Sequence, residues 1–126
     1  MKVIAIAAGG VLGALSRYYL SAFVYRYNSG SFPVGTLSVN ISGCFLIGFL
    51  WLVSERFMLP PYFKPLVFIG FLGAFTTFST FGIETFGLLR DNEIKLALMN
   101  ILLSNLLGIA AVIAGFGAAK LIFGRV

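Results

Sequence analysis

An all-α membrane protein with four transmembrane helices is the fold class that the sequence predicts. Three observations predict it. The first is composition: 60% of the residues are hydrophobic, 10% are charged, and mean hydropathy is +1.02. A soluble domain carries about a quarter of its residues as charges, and a short chain has too little interior to hide so much apolar surface. The second is segmentation: four apolar runs each reach the ~20 residues that a helix needs to cross ~30 Å of hydrocarbon. The third is punctuation: the prolines, and all charges but Arg17 and Glu84, lie outside or at the edges of those runs.

The first run covers residues 3–25 and contains one charge, Arg17. It follows Met1-Lys2 as a signal peptide would. No small-residue cleavage site leads into a soluble region, so a retained helix is expected. The second run, 34–53, is free of charge; the third, 65–89, holds Glu84; the fourth, 96–119, is again uncharged. The connections carry the stop signals: "RYNSGSFP" at 26–33, then 54–64 with Glu55, Arg56 and the Pro60-Pro61 pair, then "RDNEIK" at 90–95. Pro33, Pro60, Pro61 and Pro65 sit in loops or at helix starts, where a missing N–H is harmless. Residues 1–126 therefore read as a single four-helix transmembrane domain with both ends on one side.

Orientation is weakly encoded. Lys2, Arg56, Lys64, Lys120 and Arg125 fall on the side of the termini; Arg26, Arg90 and Lys95 fall opposite, with Arg17 leaning their way. Basic loops favour the cytoplasm, and the two sides are nearly balanced. Insertion both ways round and a single weakly biased topology both fit. Small residues at helical spacing (Gly9 and Gly13, Gly10 and Ala14, then Gly108, Ala111, Gly115 and Ala119) favour close helix approach, within one chain or between chains.

Several function classes are excluded or disfavoured. The chain has no histidine, which removes imidazole catalysis and histidine metal sites. Its one cysteine, Cys44, cannot form an intrachain disulfide. The net charge of +5 comes from residues flanking apolar runs, so no nucleic-acid partner is expected. No nucleophile–base set or titratable pair is visible, so no enzyme is expected either.

Polar side chains inside the runs carry the information, because each needs a partner in lipid. Arg17 costs about 2.5–3.5 kcal/mol at a bilayer centre on insertion scales. It either snorkels to the interface or lines an anion-attracting vestibule. Asn40 shares a helix face with Thr36 and Gly43, and either glues helices or offers an N–H to an anion. The third run contains "GFLGAFTTFSTF", residues 70–81. Gly70 and Gly73 loosen a helix there, while Thr76, Thr77, Ser79 and Thr80 compete for its backbone bonds. This segment is either a helix interrupted near mid-membrane or a continuous one whose hydroxyls bond back. An interruption would free carbonyls for a cation and N–H groups for an anion. Phe75, Phe78 and Phe81 recur every third residue. Packing explains Phe75; the electropositive ring edges of the other two can meet a small anion. In the fourth run Asn100, Ser104 and Gly108 form one stripe, a polar track or a helix contact.

With these residues the chain resembles the CrcB/Fluc family of fluoride channels. The resemblance rests on "GGVLGALSRYYL", "GTLSVNISGCFLIG", "GFLGAFTTFSTF" and "SNLLG", in order along nearly the whole chain. It implies an antiparallel, dual-topology homodimer with two fluoride pores in the cell (inner) membrane, exporting fluoride passively. It implies third helices broken near mid-membrane and crossing at the two-fold axis. There, backbone carbonyls of both chains, here those of Gly73 and Thr76, hold a structural sodium ion that is not transported. The pore phenylalanines would be Phe78 and Phe81, accompanied by Ser79, Thr80 and the amide of Asn40. Ser104 would continue the path in the fourth helix, and Arg17 would be the family's first-helix arginine. The chain departs from the pattern at Asn100, where a tyrosine is usual, and at Gly108 and Val112, where hydroxyls often occur. It also has Ala74 in place of a common glycine.

Two other classes compete. A small proton-coupled drug exporter also has four helices, but its hallmark is an acid in the first helix, and here that helix has none. Glu84, near the far end of the third run, is the candidate acid, and an interfacial position is expected for it. A non-conducting scaffold explains the small-residue faces and leaves the third-run cluster without a purpose.

Overall fold

The computed structural model describes residues 1–28 and 30–124, and these are helical apart from short connections. Ser29 of the 26–33 loop and Arg125 of the charge count lie outside the described residues. The elements are α1 (Lys2–Tyr25), α2 (Val34–Arg56), a π-helical segment (Pro65–Leu72) that runs into the short α3 (Gly73–Phe75), α4 (Phe78–Arg90) and α5 (Ile94–Phe123). Among the described residues, four stretches are long and apolar enough to cross a membrane: Lys2–Tyr25, Val34–Arg56, Pro65–Arg90 and Ile94–Phe123. Helical winding continues past the apolar runs into Glu55, Arg56, Lys95 and Lys120. These are good helix formers, and the backbone ladder does not stop where the hydrocarbon does.

The helices end on local chemistry. After α4, Glu93 N–H donates to Leu88 O at 2.8 Å and Asn92 N–H to Leu89 O at 3.1 Å. Asn92 adopts φ 65° to close this Schellman turn, a conformation asparagine tolerates. The chain thereby reverses within three residues and sends α5 back across.

Packing depends on close backbone approach. α1 lies on the π-helical segment, and α2 lies along α5. A Cβ at Gly9 would run into the Leu66 carbonyl, and one at Gly13 into the Phe71 carbonyl. Gly48 and Gly115 do the same service between α2 and α5, against the carbonyls of Val112 and Phe45. In lipid, apolar helices gain little from leaving the solvent, so such contact is a main source of cohesion. Gly9 and Gly13 are thus used inside the chain, whereas a Cβ at Gly10 would meet nothing within 4 Å.

The interior is thin. Val39, Leu72, Phe75 and Ala97 are buried, while Ile4, Ile69, Ile113 and many other large apolar side chains face outward. That distribution suits a chain whose surroundings are hydrocarbon.

Candidate functional site

Two extended residues separate the helical arms of the third span. Thr76 has φ −81° and ψ 159°, and Thr77 has φ −151° and ψ 119°. In an unbroken α-helix the Thr77 N–H would donate to Gly73 O. Here it donates to Asn40 Oδ1 at 2.8 Å. The Asn40 Nδ2 donates in turn to Thr77 O at 3.0 Å. One amide therefore satisfies both backbone groups of Thr77, as a neighbouring β-strand would. Local chemistry favours the same geometry. Thr76 Oγ1 donates back to Leu72 O at 3.0 Å. Thr77 caps α4, its Oγ1 accepting from the Thr80 N–H at 3.2 Å.

The α2 face read from spacing is turned toward this span. Thr36 Oγ1 donates to Glu84 Oε1 at 2.7 Å. Asn40 holds Thr77, and a Cβ at Gly43 would strike the Thr76 methyl. Three successive turns of α2 thus touch three successive stations of the third span.

Hydroxyls and rings gather where α4 begins. Thr77 Oγ1 donates to Thr80 Oγ1 at 3.0 Å and lies 3.4 Å from Ser79 Oγ. Ser79 is exposed. Phe78 is 83% exposed, so most of its ring is left uncovered by the described residues. Phe81 is half-buried, and the two ring centroids lie 5.5 Å apart with a 41° tilt. Phe75 behaves differently: it is buried and stacks on Phe71 with centroids 5.6 Å apart.

Two clefts flank the interruption. One, of about 440 Å³, is walled by Arg17, Ser21, Tyr25, Thr36, Thr77 and Thr80, among others. The other, of about 330 Å³, includes Asn40, Gly73, Thr76, Thr77 and Phe78. Thr77 belongs to both. Arg17 is half-buried and makes no ion pair among the described residues, so its cleft is electropositive on one wall. Around the interruption itself the donors are neutral.

Ser104 stands apart and is joined by a relay. Its Oγ donates to Asn100 Oδ1 at a long 3.4 Å. Asn100, 2% exposed, donates through Nδ2 to Thr85 Oγ1 at 2.9 Å, and Thr85 Oγ1 donates to Phe81 O at 2.7 Å. The stripe of the fourth run is therefore a helix contact at Asn100, and at Gly108, which is buried beside Cys44.

Chemically, the interruption sets two helix ends against each other. The end of α3 presents carbonyls with partial negative charge, and the start of α4 presents N–H groups with partial positive charge. Such a place can hold a cation on one side and an anion on the other without any ionised side chain.

The family model described as "CrcB-like protein, Camphor Resistance (CrcB)" matches residues 4–116. The chain belongs to the CrcB family. A curated relative from Desulforapulum autotrophicum, named "Fluoride-specific ion channel FluC", is 48% identical over 122 residues, covering 96% of this chain and 98% of that one. One of the same name from Magnetococcus marinus is 47% identical over 123 residues, covering 97% and 100%. Another from Parabacteroides distasonis is 42% identical over 120 residues, covering 95% and 94%. The relatives are named as channels, so this CrcB-family chain is a multi-pass membrane protein of a transport family and not an enzyme.

Two contacts of the CrcB-family chain are not evident from its sequence. One is that of Thr85, which stands four residues beyond Phe81, the spacing at which a helical hydroxyl reaches back to a carbonyl. The partners of Glu84 are the second, since its place in the third run suggests only an interfacial position. Glu84 is half-buried, its Oε1 accepts from Thr36 and, at 3.4 Å, from Tyr25 OH, and its Oε2 is buried without a hydrogen-bond partner among the described residues. The only advance signal was the hydroxyl of Thr36 on the Asn40 face.

Proposed function

We propose that this CrcB-family chain is a fluoride-specific channel that lets fluoride leave the cell passively across the inner membrane, lowering cytoplasmic fluoride and its toxicity. The observation that carries this reading is the Thr76–Thr77 interruption, ringed by neutral donors, in a chain 48% identical to a protein named as a fluoride channel. Fluoride is small and strongly hydrated, so a pore must replace its water with donors and still release it. Ser79, Thr80, the second Nδ2 hydrogen of Asn40 and the ring edges of Phe78 and Phe81 supply such donors. None carries a fixed charge that would trap the ion. Arg17 attracts anions to the cleft that it walls, and Ser104 extends the path on the fourth helix.

The working unit in this proposal is an antiparallel, dual-topology homodimer of single-domain chains (residues 1–126), each with its third helix broken near mid-membrane. The exposure of Phe78 and Gly73, both beside the interruption, supports a second copy as their cover. A structural sodium ion at the dimer centre fits the donor set. Gly73 O lacks the Thr77 N–H that would otherwise occupy it, Gly73 has no side chain to crowd an ion, and carbonyl oxygens suit a hard cation. Gly73 and Thr76 of both chains would hold it. When bound, sodium supplies positive charge that offsets the gathered carbonyl dipoles; it is not transported.

The test is efflux from liposomes reconstituted with the protein, read by a fluoride electrode. Fast fluoride loss without chloride loss is expected. Absence of fluoride flux, with proton-driven export of organic cations instead, overturns the reading. Phe81→Ile should cut fluoride throughput at least tenfold; unchanged throughput would remove the ring edge from the mechanism.

A further inference from the structure

At the membrane end opposite Arg17, the start of α1, the last turns of α2 and the entry to the π-helical segment enclose a groove of about 460 Å³. Lys2 and Lys64 line it at the helix ends, and Trp51, Phe68 and Ile69 line it further along α2 and the π-helical segment. We propose that this groove binds an anionic phospholipid, with the phosphate between the two lysines and an acyl chain along Phe68 and Ile69.

The electrostatics ask for an anion. Lys2 and Lys64 are both exposed, and neither makes an ion pair among the described residues. Two ammonium groups on one groove repel each other, and a phosphate between them turns that repulsion into two attractions. The other polar groups nearby are already engaged. Ser54 Oγ donates to Trp51 O at 2.8 Å, and Trp51 Nε1 donates to Glu55 Oε1 at 2.8 Å. The lysines are therefore the groups left to receive a headgroup.

The deeper half distinguishes a lipid from a free anion. Trp51 is 53% exposed and its ring meets Phe68 edge-on at 6.0 Å; Ile69 is 61% exposed. Cationic groups at the mouth, an indole at the level where indoles favour the interface and an open apolar floor reproduce the polarity gradient of a phospholipid. A free phosphate would use the mouth alone.

Trp51 is the only tryptophan in the chain, so its fluorescence reports on this groove directly. The experiment reconstitutes the full chain in vesicles containing phosphatidylglycerol or phosphatidylcholine, with brominated acyl chains on one lipid at a time. Brominated phosphatidylglycerol should quench Trp51 with about five- to thirtyfold preference over brominated phosphatidylcholine, as roughly fivefold per lysine implies. Lys2→Gln with Lys64→Gln should abolish the preference and leave quenching by phosphatidylcholine unchanged; Lys2→Arg with Lys64→Arg should keep it. In the unmodified protein the preference should shrink as salt rises from about 0.05 to 0.5 M. Equal quenching by the two lipids, a preference that survives the double Gln substitution or ignores salt, or displacement of the lipid by millimolar inorganic phosphate would each overturn the proposal. None of these readings depends on fluoride conduction.

Discussion

The side chain of Asn40 and the backbone of Thr77 form a two-way pair. Thr77 N–H donates to Oδ1 at 2.8 Å, and Nδ2 donates to Thr77 O at 3.0 Å. The orientation of the amide follows from this match, since a flipped amide would face donor with donor and acceptor with acceptor. A residue on α2 thus supplies the bonds that a continuous helix would have supplied to the third span.

Asn40→Ala should therefore damage the fold as well as the transport. It leaves an N–H and a carbonyl without partners inside the membrane, each worth about 1–3 kcal/mol. A lower thermal midpoint in detergent and at least a tenfold loss of fluoride efflux are expected. Asn40→Asp keeps the acceptor for Thr77 N–H and sets a carboxylate against Thr77 O, so it should not rescue. Wild-type stability in either variant would show that the pair contributes nothing.

Asn100 offers a second buried amide with a different duty. Its bond to Thr85 joins α5 to α4, and Thr85 passes the contact to the Phe81 carbonyl. Asn100→Leu and Thr85→Val should each destabilise the protein by leaving the partner unsatisfied. The double variant should cost less than the two together, because removing both partners removes the orphan. A coupling of about 0.6–1.7 kcal/mol is expected for an interhelical bond in a membrane. Unfolding of the four proteins in a double-mutant cycle measures it; strict additivity would break the relay.

How much of this was legible in the sequence depends on what each feature rests on. The all-helical class and its four membrane-length stretches follow from hydropathy and length, which are properties of single segments. The Thr, Ser and Phe cluster at 76–81 stands out because hydroxyls are scarce in an oily run. The partners do not stand out. Asn40 and Thr77 are 37 residues apart, Thr36 and Glu84 48 apart, and any polar group on a neighbouring helix would have satisfied the same rule. The π-helical winding of Pro65–Leu72 has no local signature either. It lies where Phe71 and Leu66 meet Gly13 and Gly9 of α1, a contact between distant segments.

That crossing makes a clean comparison possible. Gly13→Ala places a methyl group against the Phe71 carbonyl, while Gly10→Ala, three residues earlier, meets nothing within 4 Å. Overpacking of this kind costs about 1–3 kcal/mol. Gly13→Ala should lower the yield of monodisperse protein and its thermal midpoint, and Gly10→Ala should leave both near wild type. Equal behaviour of the two variants would mean that α1 does not approach the π-helical segment as closely as described.

The proposed sodium site is tested by exchanging the ion, because its donors are backbone oxygens that no side-chain substitution removes. Gly73 O is released when Thr77 N–H turns to Asn40, and Thr76 leaves the helix with ψ 159°. If these carbonyls hold sodium between two chains, purification and assay with a larger monovalent cation in its place should reduce fluoride efflux at least tenfold, and returning sodium should restore it. A side effect on the lipid bilayer would instead appear equally in empty liposomes carrying an added ionophore, which serve as the control. Full activity without sodium would remove the ion from the proposed mechanism while leaving the neutral-donor path for fluoride intact.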